Sequence, residues 1–231
     1  MLDLITPQRE VITVDLPGHG QSPPLRDDGR HPVEVIADEI AELPSGLGID
    51  RPHVAGNSLG GTIALTLAAT GHAASVTTLS PAGFPASDNE VRCARAIFTA
   101  AHTLGRAAMP VVPRLSRSAA GRGLLYGVMV TRPGQITPEQ AEGDVVSFVA
   151  AGAAMRKVFA ASARFTAPVP DDVPVRIAWG TSDRVLPQSN ARVARQQLPL
   201  ARFVPLPGCG HVPMTDDPEL IAKVLLDGST V

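Results

Sequence analysis

Between Pro52 and Ser87 the chain runs for 36 residues without an aspartate, glutamate, lysine or arginine. A charge-free stretch of that length belongs either in a bilayer or in a protein core. Gly56, Gly60, Gly61, Gly71 and Pro81 divide it, so no run of about 20 apolar residues is left to cross a membrane. The remaining solution is a strand, a helix and a second strand buried within a protein. Val54-Ala55-Gly56 reads as the first strand, Leu59 to about Thr70 as the helix, and Val76-Thr77-Thr78-Leu79 as the second strand.

The same alternation continues on both sides. Val11-Ile12-Thr13-Val14-Asp15-Leu16 reads as a strand stopped by Pro17-Gly18. Pro32 opens a helix with Val35, Ile36, Ile40 and Leu43 on one face. Val175 to Trp179 and Arg202 to Leu206 are two more strands, with Pro205 confining the latter to an edge or end position. Gln188 to Leu198 is predicted helical, and Asp216-Asp217-Pro218 caps a final helix striped by Leu220, Ile221, Val224 and Leu225. Strands alternating with helices predict an α/β fold, a mostly parallel sheet covered on both faces.

From Ala82 to Asp172 that rhythm stops. Helical patterns replace strands, as in Val145, Phe148, Val149, Gly152 and Met155, which share one face. Six of the eight aromatic residues fall here: Phe84, Phe98, Tyr126, Phe148, Phe159 and Phe165. The expectation is a helical insertion with its own apolar packing, spanning 82–172, between core segments 1–81 and 173–231. As a lid, it would also line a substrate pocket.

Composition narrows the chemistry. A net charge of −2 argues against a nucleic-acid binder, and 44% hydrophobic residues argue against disorder. Cys93 and Cys209 are too few for a disulfide framework. No cysteine–histidine cluster has metal spacing, and neither a P-loop nor a G-x-G-x-x-G follows a strand, so no metal or cofactor is expected. Met1 to Pro7 lack a basic segment and an apolar run, so the expectation is a soluble cytoplasmic protein; oligomeric state leaves no signature. Val91 to Pro138 holds seven arginines and no acid, which reads first as a solvated lid face and second as a site for an anionic substrate or membrane surface.

Gly56-Asn57-Ser58-Leu59-Gly60 matches G-x-S-x-G with a strand before it and a helix after it. A serine on so tight a turn has strained backbone angles, and side chains two residues before and after it would clash, hence Gly56 and Gly60. Ser58 Oγ would then project from the sheet's C-terminal edge at a helix N-terminus. A hydroxyl needs a base to remove its proton, and the base needs an acid to orient it. Among six histidines, His211 in Gly208-Cys209-Gly210-His211 follows the last strand at that same edge. His19, His31, His53, His72 and His102 read as loop, flanking or insertion residues, and Cys209 as a loop filler. Asp183, after the strand ending at Trp179, is the candidate acid; Asp171 and Asp172 precede that strand, on the wrong edge.

VITVDLPGHGQS (11–22), VAGNSLGG (54–61), WGTSDRVLP (179–187) and PGCGHVP (207–213) together resemble the ordered motif set of the α/β-hydrolase fold superfamily. The resemblance implies Ser58 as nucleophile, His211 as base and Asp183 as its orienting acid, with the Leu59 backbone N–H as an oxyanion donor. Asp15 and His19 match a structural loop of that family, and 82–172 corresponds to its cap. The family places further strands and a His-Gly-type oxyanion loop ahead of the segment resembling Val11 to Leu16. Only ten residues precede Val11, so an N-terminally short core is expected. The expected activity is hydrolysis of a carboxylic ester or related acyl substrate, a small molecule, through an acyl-enzyme. Carbon–carbon bond hydrolysis, cofactor-free haloperoxidation and an inactive, truncated hydrolase-like protein are the alternatives. A serine at this position disfavours the epoxide hydrolase and haloalkane dehalogenase branches, which use an aspartate.

Overall fold

The computed structural model describes residues 1–161 and 164–230. A short helix α1 (Leu2–Ile5) and helix α2 (Pro32–Gly46) precede strand β1 (His53–Asn57), helix α3 (Leu59–Ala69) and strand β2 (Ser75–Leu79). Five helices follow: α4 (Asp88–Ala108), α5 (Val112–Ser116), α6 (Ala119–Tyr126), α7 (Pro138–Ala150) and α8 (Gly152–Ala160). The chain then forms strand β3 (Val175–Gly180), helix α9 (Gln188–Gln197), strand β4 (Arg202–Leu206), and helices α10 (Pro213–Asp216) and α11 (Pro218–Gly228).

Among the described residues the sheet has four parallel strands in the order β1-β2-β3-β4. Side-chain alternation divides its faces. Val54, Val76, Ile177, Trp179 and Phe203 pack with Ala64, Leu65 and Ala68 of α3 and with Ala194 of α9. Leu79, Ala178, Val204 and Leu206 pack with Ile221 and Val224 of α11 on the other face. Helices therefore cover both faces. Pro205 lies in β4, an edge strand, where a missing N–H costs no ladder bond.

Helix α3 shows how the charge-free stretch is buried. Its residues Gly61 to Leu65 are all buried, and the one threonine among them, Thr62, donates to the Ala82 carbonyl at 2.9 Å. Thr66 and Thr70 donate to the carbonyls of Thr62 and Thr66, at 2.9 and 3.0 Å.

One predicted strand is absent. Val11 to Leu16 forms no ladder, and Ile12 and Val14 are exposed. A β-branched run becomes a strand only beside a partner, and β1 at the sheet edge pairs with β2 alone.

The helical region has small satellite cores. Phe98 of α4 meets Phe148 and Phe159, with ring centroids 6.4 and 4.8 Å apart. Val130, Ile136 and Ala141 pack with Tyr126, Met129 and Val212. Phe84 and Phe165 depart from the sequence expectation. Their rings lie 5.7 Å apart within the sheet's own core, because the two ends of the region are joined by the Phe165 N–H donating to the Gly83 carbonyl at 2.8 Å.

Candidate active site

Three strand ends carry the site. Ser58 joins β1 to α3 with φ 53° and ψ −115°, a left-handed conformation that an L residue holds at a cost of about 1–3 kcal/mol. Its N–H donates to the Leu79 carbonyl at 3.0 Å, fastening the turn to the end of β2. Gly56 is required by space: a Cβ there would run into the carbonyl of Gly60. The expected steric need for a glycine at 60 itself does not hold, since a Cβ on Gly60 meets nothing within 4 Å. Gly61 is the second tight position, where a Cβ would lie 2.9 Å from the Pro81 Cβ. The Gly60 backbone facing Gly56 and the Pro81 ring facing Gly61, rather than contact between side chains at 56 and 60, set the glycine pattern.

Asp183 sits in the turn after β3. Its Oδ1 accepts from the N–H groups of Val185 and Leu186 at 2.9 and 2.8 Å, which fixes the carboxylate plane and leaves Oδ2 to accept a third bond. The Trp179 indole N–H donates to the Leu186 carbonyl at 3.0 Å and closes the same turn from below.

His211 follows β4. Its Nδ1 lies 2.9 Å from Asp183 Oδ2 and its Nε2 lies 2.9 Å from Ser58 Oγ. The carboxylate can only accept, so the network assigns the imidazole proton to Nδ1 and leaves the Nε2 lone pair facing the Ser58 hydroxyl. The His211 ring is almost wholly buried, as is the Asp183 side chain. The structure thus brings Ser58, His211 and Asp183 into one hydrogen-bonded line. Leu59, the first residue of α3, presents an N–H with no acceptor inside its own helix, beside Ser58.

The other histidines lie elsewhere. His19 Nδ1 faces the Pro17 carbonyl, His53 Nδ1 the Ser75 hydroxyl, and His72 Nδ1 the Thr70 hydroxyl. His31 Nε2 faces the Ala161 carbonyl, and His102 Nε2 that of Val149. Asp15 closes its own loop, accepting from the Gln21 N–H at 3.2 Å and, through its carbonyl, from the Ser22 hydroxyl at 2.7 Å. Asp171 and Asp172 are exposed in the turn entering β3. Burial, with the nearby charges of Asp216 and Asp217, pushes the Cys209 thiol up to about 11, so it stays protonated and unreactive near neutrality.

Sequence reasoning missed one buried carboxylate. Of the Asp216-Asp217 pair, Asp217 alone caps α11, accepting from the Leu220 N–H at 3.0 Å. Asp216 turns inward and takes three backbone N–H groups: Thr131 and Arg132 on Oδ1, both at 2.8 Å, and Gly210 on Oδ2 at 2.7 Å. The Val212 N–H donates to the Met129 carbonyl at 3.0 Å, and the Thr131 hydroxyl to that of Gly208 at 2.7 Å. The histidine loop is therefore stitched to residues 129–132. The available signal was redundancy, two acids where one helix cap needs only one.

Among the described residues no cluster of three or more histidine, cysteine, aspartate or glutamate side chains is placed to hold a metal, and no helix is long and apolar enough to cross a membrane.

The model of the alpha/beta hydrolase family matches residues 3–224. An uncharacterized protein of Mycobacterium tuberculosis is 28% identical over 221 residues, covering 90% of this chain and 64% of that protein. The chain thus spans under two thirds of that relative's length. An epoxide hydrolase of the same organism is 29% identical over 208 residues, covering 83% of this chain and 92% of the relative. The crystal structure of a membrane phospholipase A, a bacterial virulence factor, superposes with a TM-score of 0.66 at 27% identity, over 93% of this chain and 68% of that one.

Proposed function

We propose that this chain, which belongs to the alpha/beta hydrolase family, is a serine hydrolase that cleaves a carboxylic ester or related acyl substrate through an acyl-enzyme on Ser58. The observation that carries this reading is the line of two 2.9 Å contacts from Ser58 Oγ through His211 to Asp183. Ser58 Oγ attacks the carbonyl carbon as His211 Nε2 takes its proton. Asp183 stays ionised and stabilises the imidazolium through Nδ1. The Leu59 N–H, at the positive end of α3, receives the negative charge that develops on the carbonyl oxygen. His211 returns the proton to the leaving alcohol, then draws one from the water that releases the acid.

In this reading, segments 1–81 and 173–231 form the catalytic core and 82–172 forms a helical cap. Its test is a panel of acyl esters of graded chain length, with a terminal epoxide and a vinylogous diketone alongside, using Ser58→Ala as the blank. Turnover of esters that vanishes in Ser58→Ala supports the reading. Turnover of the epoxide or the diketone alone contradicts it.

A further inference from the structure

The seven arginines between Val91 and Pro138 face no acid in sequence, and none of them forms an ion pair among the described residues. Elsewhere the pattern differs: Arg26, Arg30, Arg164 and Arg176 each face an aspartate or glutamate. The whole chain carries −2, so the +7 of this segment stands against −9 on the remainder. Charge is therefore unevenly distributed along the chain. Arg95, Arg122 and Arg132 lend their guanidinium groups to the carbonyls of Phe159, Ser116 and Asp216. Arg92, Arg106, Arg114 and Arg117 are exposed and have no side-chain partner among the described residues.

The helix that carries the first of these is unusual in itself. Helix α4 is 21 residues long and has no buried residue. Its inner side reaches α7 and α8 through Phe98. Its outer side, from Arg92 and Arg95 through Thr99 and Thr103 to Leu104, lines an open concavity of about 650 Å³. Leu104 is 67% exposed, and beyond the helix Val111 and Leu124 are 49% and 77% exposed. Ala96, Ala100 and the two threonines fill the space between Arg92, Arg95 and Leu104, so this side is a largely apolar strip with guanidinium groups beside it. The strip is lined by no aromatic side chain and encloses no pocket, the anchors on which a protein partner's interface is built. An anionic bilayer requires neither, because it takes guanidinium groups at its phosphates and a shallow apolar strip at the headgroup–acyl boundary.

We infer that the outer face of α4, with the α5 and α6 segment that continues it, docks on the surface of an anionic lipid bilayer. Arg92, Arg106, Arg114 and Arg117 supply the attraction, and Leu104 and Leu124 the shallow insertion. No span is involved, and the contact is independent of the hydrolytic reading of Ser58.

The test is co-sedimentation of the full chain with vesicles of phosphatidylglycerol and phosphatidylcholine, against vesicles of phosphatidylcholine alone. The variants are Arg92→Gln/Arg106→Gln/Arg114→Gln/Arg117→Gln and Leu104→Ser/Leu124→Ser, with far-UV circular dichroism verifying that both remain folded. Binding to the anionic vesicles should exceed binding to neutral ones by more than about 10-fold at low ionic strength, and should collapse near 0.5 M salt. The quadruple variant should bind anionic vesicles no better than neutral ones, and the double leucine variant should bind at least about threefold more weakly. Equal sedimentation with both vesicle types, or unchanged binding by the quadruple variant, overturns the inference. So does full displacement by polyglutamate with no effect of the leucine change, which would identify an acidic macromolecule as the partner.

Discussion

The side-chain amide of Asn57 donates to the backbone carbonyl of His211 at 2.9 Å. The same nitrogen also donates to the Leu79 carbonyl, at 2.8 Å. One amide thereby joins the residue before Ser58, the end of β2 and the loop that carries the histidine. The separation between Ser58 Oγ and His211 Nε2 is consequently fixed from the backbone side as well as by the Asp183 bond.

Asn57→Asp should be more damaging than Asn57→Ala. The carboxylate cannot donate and would face two carbonyl oxygens, whereas alanine merely leaves them unpaired. We expect Asn57→Ala to lower kcat by about 10- to 100-fold with KM little changed, a partial loss of base positioning that stays at or below the roughly 10²–10⁴-fold contribution of the base itself. A kcat for Asn57→Asp equal to or above that of Asn57→Ala would contradict this.

Asp216→Asn replaces an acceptor of three backbone N–H groups with a side chain that must turn a donor toward at least one of them. An expected loss of about 2–3 kcal/mol in unfolding free energy follows from leaving a buried donor unpaired, read by urea denaturation. Residues 129–132 should lose amide-exchange protection together with 208–212. Loosening of only one of the two segments would show that Asp216 does not join them.

The two glycines flanking Ser58 should respond in opposite ways. Gly60→Ala meets open space and should keep most of the activity, while Gly56→Ala collides with the Gly60 backbone and should displace Ser58 or prevent folding. Purified, folded Gly56→Ala with wild-type kcat/KM would refute the geometry of the turn.

Glu90 gives an acid-side signature. Burial acts to raise its carboxyl pKa, but hydrogen bonds from the Ser189 hydroxyl, the Ala86 N–H and the Asn190 amide together outweigh it and hold the group below the ordinary glutamate range. A pKa lower in the folded state gives stability that is full above the unfolded value of about 4.3 and is lost as pH falls through the folded value. Glu90→Gln should therefore lower Tm near neutrality and flatten the fall in Tm below about pH 4.3. Parallel Tm–pH curves for the two proteins would contradict that.

Periodicity and punctuation made most of the frame legible. The charge-free stretch became β1, α3 and β2, and Pro205 marked an edge strand as its missing donor requires. Val11 to Leu16 misled because β-branched composition reports a preference, while a strand also needs a neighbour to pair with. Ser58, Asp183 and His211 could be singled out because each follows a strand on a turn of distinctive composition. Asn57 and Asp216 could not be assigned their partners, which are backbone groups and include some 154 and 84 to 85 residues away. Backbone amides and carbonyls carry no sequence identity, so contacts made to them leave no pattern to read.

The proposed chemistry requires Ser58 to be a nucleophile activated by His211. A fluorophosphonate probe, followed by intact-mass and peptide mass spectrometry, should modify the chain once, at Ser58. The labelling rate should fall by about 10²–10⁴ in His211→Ala, the contribution of a positioned base. Labelling at another residue, or equal rates in the wild-type chain and His211→Ala, would contradict it.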